Sequence, residues 1–270
     1  MPLKEAAGAE IRAGLLLCPV RGCRLPLQSE QRRLVCGRTH SFDIARSGYV
    51  NLLQPQDRRS KQPGDTAAAV KARRRLHERG ITAPLLSAIS GMIAASQADR
   101  VLDAGCGEGF YLGSLAREFG FDAHGIDISI PAVDAAARSY PECEWMVANA
   151  DRFVPHADRS FSLVLSITAR MNASEFRRVL RPDGRLLAAV PSPEDLKELR
   201  GVGKDRVKRT IETFANHFEI GEQQRVTTQA ALAASSVEDV LLSIYRPIRS
   251  QPVEAMRLTF SLDLLLFRPR

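Results

Sequence analysis

The sequence has no long hydrophobic run. The apolar stretch SLDLLLF at 261–267 is too short to cross a bilayer, and Leu15–Leu17 is too short for the core of a secretion signal. These absences argue against a membrane protein and predict a cytoplasmic one, in which thiols stay reduced. The composition, 44% hydrophobic and 26% charged, is that of a globular chain with a substantial core.

Cysteine is also scarce, yet three of the five cysteines lie close together near the start of the chain. Cys18 and Cys23 are separated by four residues, Cys36 and His40 by three, and twelve residues separate the two pairs. This spacing leaves open a disulfide-closed loop, a metal site or an accident of composition. A reducing compartment disfavours the disulfide and favours the metal.

Zinc is the metal that thiolate and imidazole ligands in two short turns favour. The residues between the pairs alternate enough to form a two-stranded ribbon, and such a short module could not bury enough apolar surface to fold unaided. Four protein ligands close the coordination sphere. The sequence therefore predicts a structural Zn²⁺ held by Cys18, Cys23, Cys36 and His40.

Acidic residues are outnumbered, with 31 Asp and Glu against 38 Lys and Arg, which gives a net charge of +7. Much of the excess lies in the runs RRSK at 58–61, KARRR at 71–75 and KDRVKR at 204–209. Clustered cations of this kind predict a polyanionic partner such as nucleic acid.

The segment RVLDAGCGEGFYLGSLAREFG at 100–120 predicts a strand, a glycine turn and an amphipathic helix. Gly105 and Gly107 allow the backbone to turn sharply and to approach a ligand. Asp103 ends the first strand, and Asp127 ends a second strand, where a carboxylate can accept both hydroxyls of a ribose.

A G-x-G-x-G turn also fits a dinucleotide, but the acidic residues Asp103 and Glu108 favour S-adenosylmethionine, which is cationic and carries no phosphate. Further strands predicted at 142–149, 161–168 and 184–191, with helices at 130–139 and 173–180, complete a doubly wound α/β sheet. At its carboxyl edge we expect Asn149, Ala150 and Asp151 to border the adenine, and Ser166–Thr168 to border the transferred methyl.

The remaining cysteines and histidines give weaker signals. Cys106 and Cys143 are predicted to be small buried residues rather than nucleophiles. The histidines at 77, 124 and 156 stand alone in the sequence, and we expect them at the surface or in packing.

The zinc cluster, HSFDIARSGYVNLL at 40–53, GDTAAAVKARR and VLDAGCGEG occur in an order that resembles the bacterial 23S rRNA (guanine-N1)-methyltransferases of the RlmA type. The resemblance implies a class I S-adenosylmethionine-dependent methyltransferase, Rossmann-like in its sheet, with a small N-terminal zinc ribbon. We divide the chain into a zinc module at 1–55, a basic helical linker at 56–97 and a methyltransferase domain at 98–270.

The resemblance further implies methylation of guanine N1 in a 23S rRNA hairpin, a ribbon and linker that grip this RNA, and a homodimer. It maps the metal ligands onto the four residues named above, and cofactor contacts onto Gly107 and Glu108. The first Cys pair is longer than the family's usual one. Two further departures, TARMN at 168–172 and a shorter C-terminal third, keep alternatives open: another RNA or small-molecule substrate, or an RNA-binding relative without activity. Asp195 and Asp151 are the carboxylates that could take the guanine proton, and the catalytic residue stays unassigned.

Overall fold

A computed structural model describes residues 13–58, 60, 62–244 and 253–270. The first twelve residues of the predicted zinc module lie outside the described residues, as do Arg59 and Lys61 of the first basic run. Within the described ranges, no helix is both long and apolar enough to span a membrane.

A three-stranded antiparallel sheet forms the N-terminal ribbon. Its strands are β1 (Leu27–Glu30), β2 (Arg33–Cys36) and β3 (Ser41–Asp43), in that order. A tight turn joins β1 to β2, with Gln31 at φ +54°. This hairpin brings the second cysteine pair back towards the first, as the sequence predicts.

An eight-stranded sheet forms the body of the molecule, in the order β10-β11-β9-β8-β5-β6-β7-β4. Six strands are parallel, and β10 and β11 form an antiparallel edge. The strands are β4 (Val50–Asn51), β5 (Arg100–Ala104), β6 (Asp122–Asp127), β7 (Glu144–Val147), β8 (Phe161–Ile167), β9 (Leu180–Pro191), β10 (Phe218–Leu232) and β11 (Met256–Pro269).

Eight helices surround this sheet in the described part of the chain. They are α1 (Ala67–Glu78), α2 (Ala83–Ala94), α3 (Phe110–Phe119), α4 (Ile130–Ser139), α5 (Ala173–Val179), α6 (Lys197–Arg200), α7 (Val207–Phe214) and α8 (Ala234–Ser243). Helix α1 lies within the predicted basic helical linker: at its start the Thr66 hydroxyl accepts a hydrogen bond from the Ala69 N–H at 3.2 Å, and just beyond its end Gly80 has φ +74°.

The chain order reverses at β5, which has β6 on one side and β8 on the other. A doubly wound sheet opens a ligand crevice at such a point, beyond the carboxyl ends of its strands. The predicted α/β class is therefore confirmed. The third predicted strand is shorter than expected and the fifth begins earlier, at Leu180.

The ribbon packs directly on one face of the large sheet. Leu16 and Phe42 of the ribbon share an apolar core with Leu102 and Phe161 of the sheet. The Leu17 N–H donates to the Pro155 carbonyl at 3.1 Å, and the Ala157 N–H donates to the Leu15 carbonyl at 2.9 Å. In addition, β4 pairs with β7, so the chain joins the large sheet before the predicted boundary at residue 55. The division of the chain into three segments stays a prediction.

Candidate functional site

The glycine turn between β5 and α3 lets a neighbouring loop or a ligand lie close to its backbone. Gly105 has φ +97°, and a Cβ placed on it would lie 2.3 Å from the Cβ of Ala169. Gly107 has φ +54°, and its N–H donates to Asp127 Oδ2 at 3.0 Å. Only glycine satisfies both the left-handed conformation and the lack of space, so the sequence signal here is a direct consequence of the backbone.

Asp127 joins the turn to the end of β6. Its second oxygen accepts a hydrogen bond from the Ser129 N–H at 2.8 Å. Burial raises the pKa of Asp127 above its ordinary value, although the N–H groups of Ser129 and Gly107 oppose this shift. Both carboxylate oxygens are thereby fixed beside the crevice, where a ribose would lie.

Asp103, at the end of β5, lies below the same turn and is 1% exposed. Its Oδ1 has no hydrogen-bond partner among the described residues. Burial, reinforced by the charge of Asp127, raises the pKa of Asp103 to about 8. A buried carboxyl oxygen without a partner next to a glycine cradle fits a cationic ligand such as S-adenosylmethionine.

Glu108 is held by helix α1 rather than left open to the crevice. It accepts hydrogen bonds from Arg73 Nη1 at 3.0 Å and from His77 Nε2 at 2.9 Å. Burial raises the pKa of Glu108, but the hydrogen bond from His77 and the charge of Arg73 outweigh it, so the pKa lies below its ordinary value. Glu108 is thus a fixed anion of the site.

His77 is therefore not an isolated packing residue. Its Nδ1 lies 2.6 Å from the Thr82 hydroxyl, and its ring stacks on Phe110 with a centroid separation of 3.9 Å. Nothing local in the sequence signals this, because Glu108 lies 31 residues away. The only hint in the sequence is a histidine on the inward face of an amphipathic helix.

The predicted adenine side follows β7. Asn149 donates from Nδ2 to the Asp57 carbonyl at 3.0 Å, and its Oδ1 accepts from the Asp151 N–H at 3.1 Å. The Ala150 carbonyl accepts from Asn172 Nδ2 at 3.3 Å. The loop after β7 is thereby rigid, and it lies two strands from the glycine turn on the same edge of the sheet.

The loop after β8 lines the wall of the crevice opposite the loop after β7, because β8 and β7 lie on different sides of β5. Thr168 has φ +53°, and the Ser166 hydroxyl is fully buried without a hydrogen-bond partner among the described residues. The next residue, Ala169, is the one that Gly105 faces. The segment that departs from the family pattern thus packs directly against the cofactor turn.

The four predicted metal ligands meet at the ribbon. Cys23 Sγ lies 3.7 Å from Cys36 Sγ, and His40 Nδ1 lies 3.4 Å from Cys18 Sγ and 3.3 Å from Cys36 Sγ. Tetrahedral zinc with its usual bond lengths places sulfur pairs about 3.8 Å apart and sulfur–nitrogen pairs about 3.5 Å apart. The donor set and its spacing therefore fit zinc, despite the longer first cysteine pair.

Comparison with known proteins agrees with both parts of this arrangement. A methyltransferase domain matches residues 101–184, and the zinc ribbon described as "RlmA, N-terminal" matches residues 16–61. A Streptomyces fradiae enzyme named 23S rRNA (guanine(748)-N(1))-methyltransferase is 39% identical over 229 residues, which cover 80% of each chain.

The chain belongs to the 23S rRNA (guanine-N1)-methyltransferase family. A Micromonospora griseorubida protein provisionally named as such an enzyme is 35% identical over 231 residues, covering 76% of this chain and 77% of that one. The protein is accordingly an S-adenosylmethionine-dependent methyltransferase with a structural zinc ribbon.

In this family member the basic runs do not share one role. Arg75 of α1 and Arg79, the residue that caps its C-terminus, both bind Asp239 of α8, and Arg73 binds Asp65 as well as Glu108. By contrast, the run at 204–209 exposes Lys204, Arg206, Lys208 and Arg209. The sequence predicts a linker helix that offers its arginines to RNA, but several of them are neutralised within the fold.

The exposed run borders a cleft at the carboxyl end of β9, lined by Pro191, Ser192, Arg200, Lys204 and Arg206 among others. Asp195 lies beside this cleft, but it is not open to it. Its Oδ1 accepts from the Ser261 N–H at 3.0 Å, and its Oδ2 binds Arg200. Asp151, whose side chain is 23% exposed, has Arg170 at 3.6 Å.

Proposed function

We propose that this protein transfers the methyl group of S-adenosylmethionine to N1 of a guanine in a hairpin of 23S rRNA. The observation that carries the proposal is the combination of family membership with a ribbon that packs against the sheet of a complete cofactor crevice. A methyltransferase for small molecules has no evident need for a zinc ribbon and an exposed basic run beside that crevice.

S-adenosylmethionine supplies an electrophilic methyl group on a sulfonium. In the proposed site Asp127 would hold the ribose and Asp103 would face the cationic end, while the turn through Gly105 and Gly107 would support the ligand. Glu108, bonded to Arg73 and His77, would contribute a fixed negative charge behind the turn. Asn149 and Ala150 border the adenine. The roles of these residues rest on their positions around one crevice and on the character of their donors and acceptors.

Guanine N1 carries a proton, so a base has to accept it before or during methyl transfer. Both oxygens of Asp195 are already engaged, which disfavours it as that base. Asp151 keeps partial exposure beside Asn149 and Ala150, and we rank it first for testing. Whichever carboxylate accepts the proton, alignment of guanine N1 with the methyl group accelerates the transfer.

The target guanine is paired or stacked in a hairpin, so it has to leave the stack to reach the crevice. We propose that the ribbon and the run at 204–209 bind the hairpin phosphates while the base enters. The family resemblance also implies a homodimer, and we propose a cytoplasmic location, where ribosomal RNA is modified. Both stay proposals.

The deciding experiment is primer extension on naked 23S rRNA after incubation with the purified protein, with and without S-adenosylmethionine. Methylation at N1 blocks the pairing edge of guanine, so reverse transcriptase should stop beside the target only when cofactor is present. Such a stop in a hairpin identifies the reaction, the substrate and the nucleotide together.

Two other outcomes separate the alternatives. Methyl label in RNA without a stop would indicate transfer to a non-pairing atom or to another site. Neither stop nor label, with S-adenosylmethionine binding intact by calorimetry, would indicate a different substrate. Loss of cofactor binding with RNA binding retained would leave an RNA-binding relative without activity.

A further inference from the structure

Asn172, at the end of the loop after β8, joins two walls of the cofactor crevice through one side chain. Its Nδ2 donates to the Ala150 carbonyl at 3.3 Å and to the Asp151 carbonyl at 3.0 Å. An amide nitrogen carries two hydrogens, so these two bonds use its full donor capacity. Both acceptors belong to the loop after β7, 22 and 21 residues earlier in the chain. The side chain therefore ties one loop to the other.

The oxygen of the same amide holds the start of helix α5. Asn172 Oδ1 accepts hydrogen bonds from the Glu175 N–H at 3.3 Å and from the Ser174 hydroxyl at 3.0 Å, as a helix N-cap does. The helix itself is anchored by Phe176, whose side chain is fully buried. Asn172 is thus fixed at its oxygen, and its nitrogen is directed at the neighbouring loop.

The same face of α5 continues the contact beyond Asn172. Glu175 and Arg178 follow at intervals of three residues, which places them on one side of the helix. Glu175 Oε2 accepts from the Val154 N–H at 2.9 Å, and Arg178 donates to the carbonyls of Val154 and His156 at 2.7 Å each. The connection between β7 and β8 is therefore held against α5 at several points.

Asp151 is the residue whose backbone this arrangement fixes most closely. Its N–H donates to Asn149 Oδ1 at 3.1 Å, and its carbonyl accepts from Asn172. Both of its backbone polar groups are thus bound by asparagine side chains, one from each loop. A general base must lie within hydrogen-bond reach of the proton that it accepts, and a displacement of about 1 Å can cost about a hundredfold in rate.

We propose that Asn172 is a positioning residue for methyl transfer, which holds Asp151 where its carboxylate accepts the proton of guanine N1. The inference rests on the proposed function and on Asp151 as the base. The N1–H bond breaks and its proton moves to a carboxylate oxygen of Asp151. The electron pair left on N1 forms the bond to the methyl group, while the pair of the broken carbon–sulfur bond stays on sulfur. Asn172 acts through Asp151 and not on the reacting atoms.

Asn172→Asp separates this role from helix capping. Aspartate has the same shape and caps a helix equally well, but it presents an oxygen to the two carbonyls in place of the donor. We expect an unchanged circular dichroism spectrum, an unchanged KM for RNA, and a kcat lower by about tenfold to a hundredfold. Ser174→Ala, which removes a bond to the amide oxygen alone, should keep the wild-type kcat. If Asn172→Asp misfolds, Asn172→Ser decides, because serine caps without a charge.

Asp151→Asn tests whether Asn172 acts through Asp151. Once the base is absent its position no longer matters, so the double variant with Asn172→Asp should have the kcat of Asp151→Asn alone. The pH adds a second readout, because hydroxide can remove the N1 proton without Asp151. The loss of kcat in Asn172→Asp should therefore be smaller at pH 9 than at pH 7.

Hydrogen exchange supplies a readout that does not depend on methyl transfer. In the full-length protein, backbone amides at 150–154 should exchange faster in Asn172→Asp than in the wild type. Unchanged exchange overturns the proposal, as do a wild-type kcat in Asn172→Asp, losses that multiply in the double variant, or a loss that is equal at both pH values. A wild type that methylates no RNA is a different result, because it contradicts the proposed function itself.

Discussion

Single residues at the crevice show how one side chain acquires a role from its surroundings. Asp103 and Asp127 are both carboxylates at strand ends, but their partners differ. Asp127 has two backbone N–H donors, whereas Asp103 Oδ1 has no hydrogen-bond partner in the described ranges. The first is therefore a preorganised acceptor, and the second is a buried acid whose ionisation depends on a ligand.

Asp127→Ala should weaken S-adenosylmethionine binding by at least about tenfold, because hydrogen bonds to a charged acceptor contribute about 1.5–3 kcal/mol each. Calorimetry measures the affinity, and mass spectrometry should find the zinc content unchanged. Asp134→Ala, which removes a carboxylate paired with Arg138 on α4, serves as the matched control. Loss of zinc in Asp127→Ala would contradict the separation of the two sites.

Asp103 should make the unliganded protein less stable as the pH rises. Its pKa is about 8 in the folded protein and near 4 when unfolded, so the folded state binds more protons between these values. The contribution of Asp103 to stability is then highest below pH 4 and falls until about pH 8, by up to about 1.4 kcal/mol per pH unit. Above pH 8 the contribution is constant.

Asp103→Asn mimics the protonated acid and should remove this slope. We expect its free energy of unfolding to exceed that of the wild type by an amount that grows from pH 6 to pH 8 and then levels off. Urea titrations at four pH values measure this difference. Asp43→Asn, at an exposed position of β3, should show no such trend, and a constant difference for Asp103→Asn would rule out the assigned pKa.

At the scale of elements, α1 is the link between the cofactor turn and the rest of the molecule. Through Arg73 and His77 it fixes Glu108, and through Arg75 and its C-terminal cap Arg79 it binds Asp239 on α8. The helix predicted as a linker is thus part of the wall that holds the cofactor turn in place.

His77→Phe should retain the stack on Phe110 but remove the donor to Glu108, so we expect about tenfold weaker S-adenosylmethionine binding. His77→Gln, which keeps a donor, should recover part of the affinity. Lys71→Ala, at an exposed position of the same helix, should have no effect. Full affinity in the Phe variant together with a loss in the Gln variant would show that His77 acts by packing alone.

At the scale of the whole molecule, the exposed run at 204–209 and the ribbon belong to one continuous body rather than to separate modules. The ribbon shares its apolar core with the sheet, and the run follows β9 at the edge where the crevice opens. Phosphate contacts on this edge would set the register of a hairpin without reading its sequence.

The double variant Lys204→Ala, Lys208→Ala should weaken RNA binding and make it less dependent on salt. Each lost phosphate contact lowers the slope of log affinity against log salt by roughly 0.7–0.9. Filter binding at several salt concentrations measures this slope. Lys197→Ala, whose ammonium pairs with Glu194, is the control, and an unchanged slope in the double variant would exclude the run from the RNA interface.

Features that depend on short stretches of chain can be predicted from the sequence alone. Two ligand pairs in tight turns specify the zinc cluster, and positive φ with a crowded backbone requires glycine at 105, so local sequence patterns predict both. The strand order around β5 follows from the alternation of strands and helices. The long antiparallel pair β10–β11 was missed, because its exposed residues lack a clear alternation.

Which distant residues come into contact depends on the folded arrangement of the whole chain. His77 and Glu108 are 31 residues apart, Arg75 and Asp239 are 164 apart, and His124 and His156 are 32 apart. These contacts depend on how strands register and how the ribbon docks, and no local pattern encodes either. A charge or an imidazole therefore has no readable role until packing supplies its partner and excludes water from it.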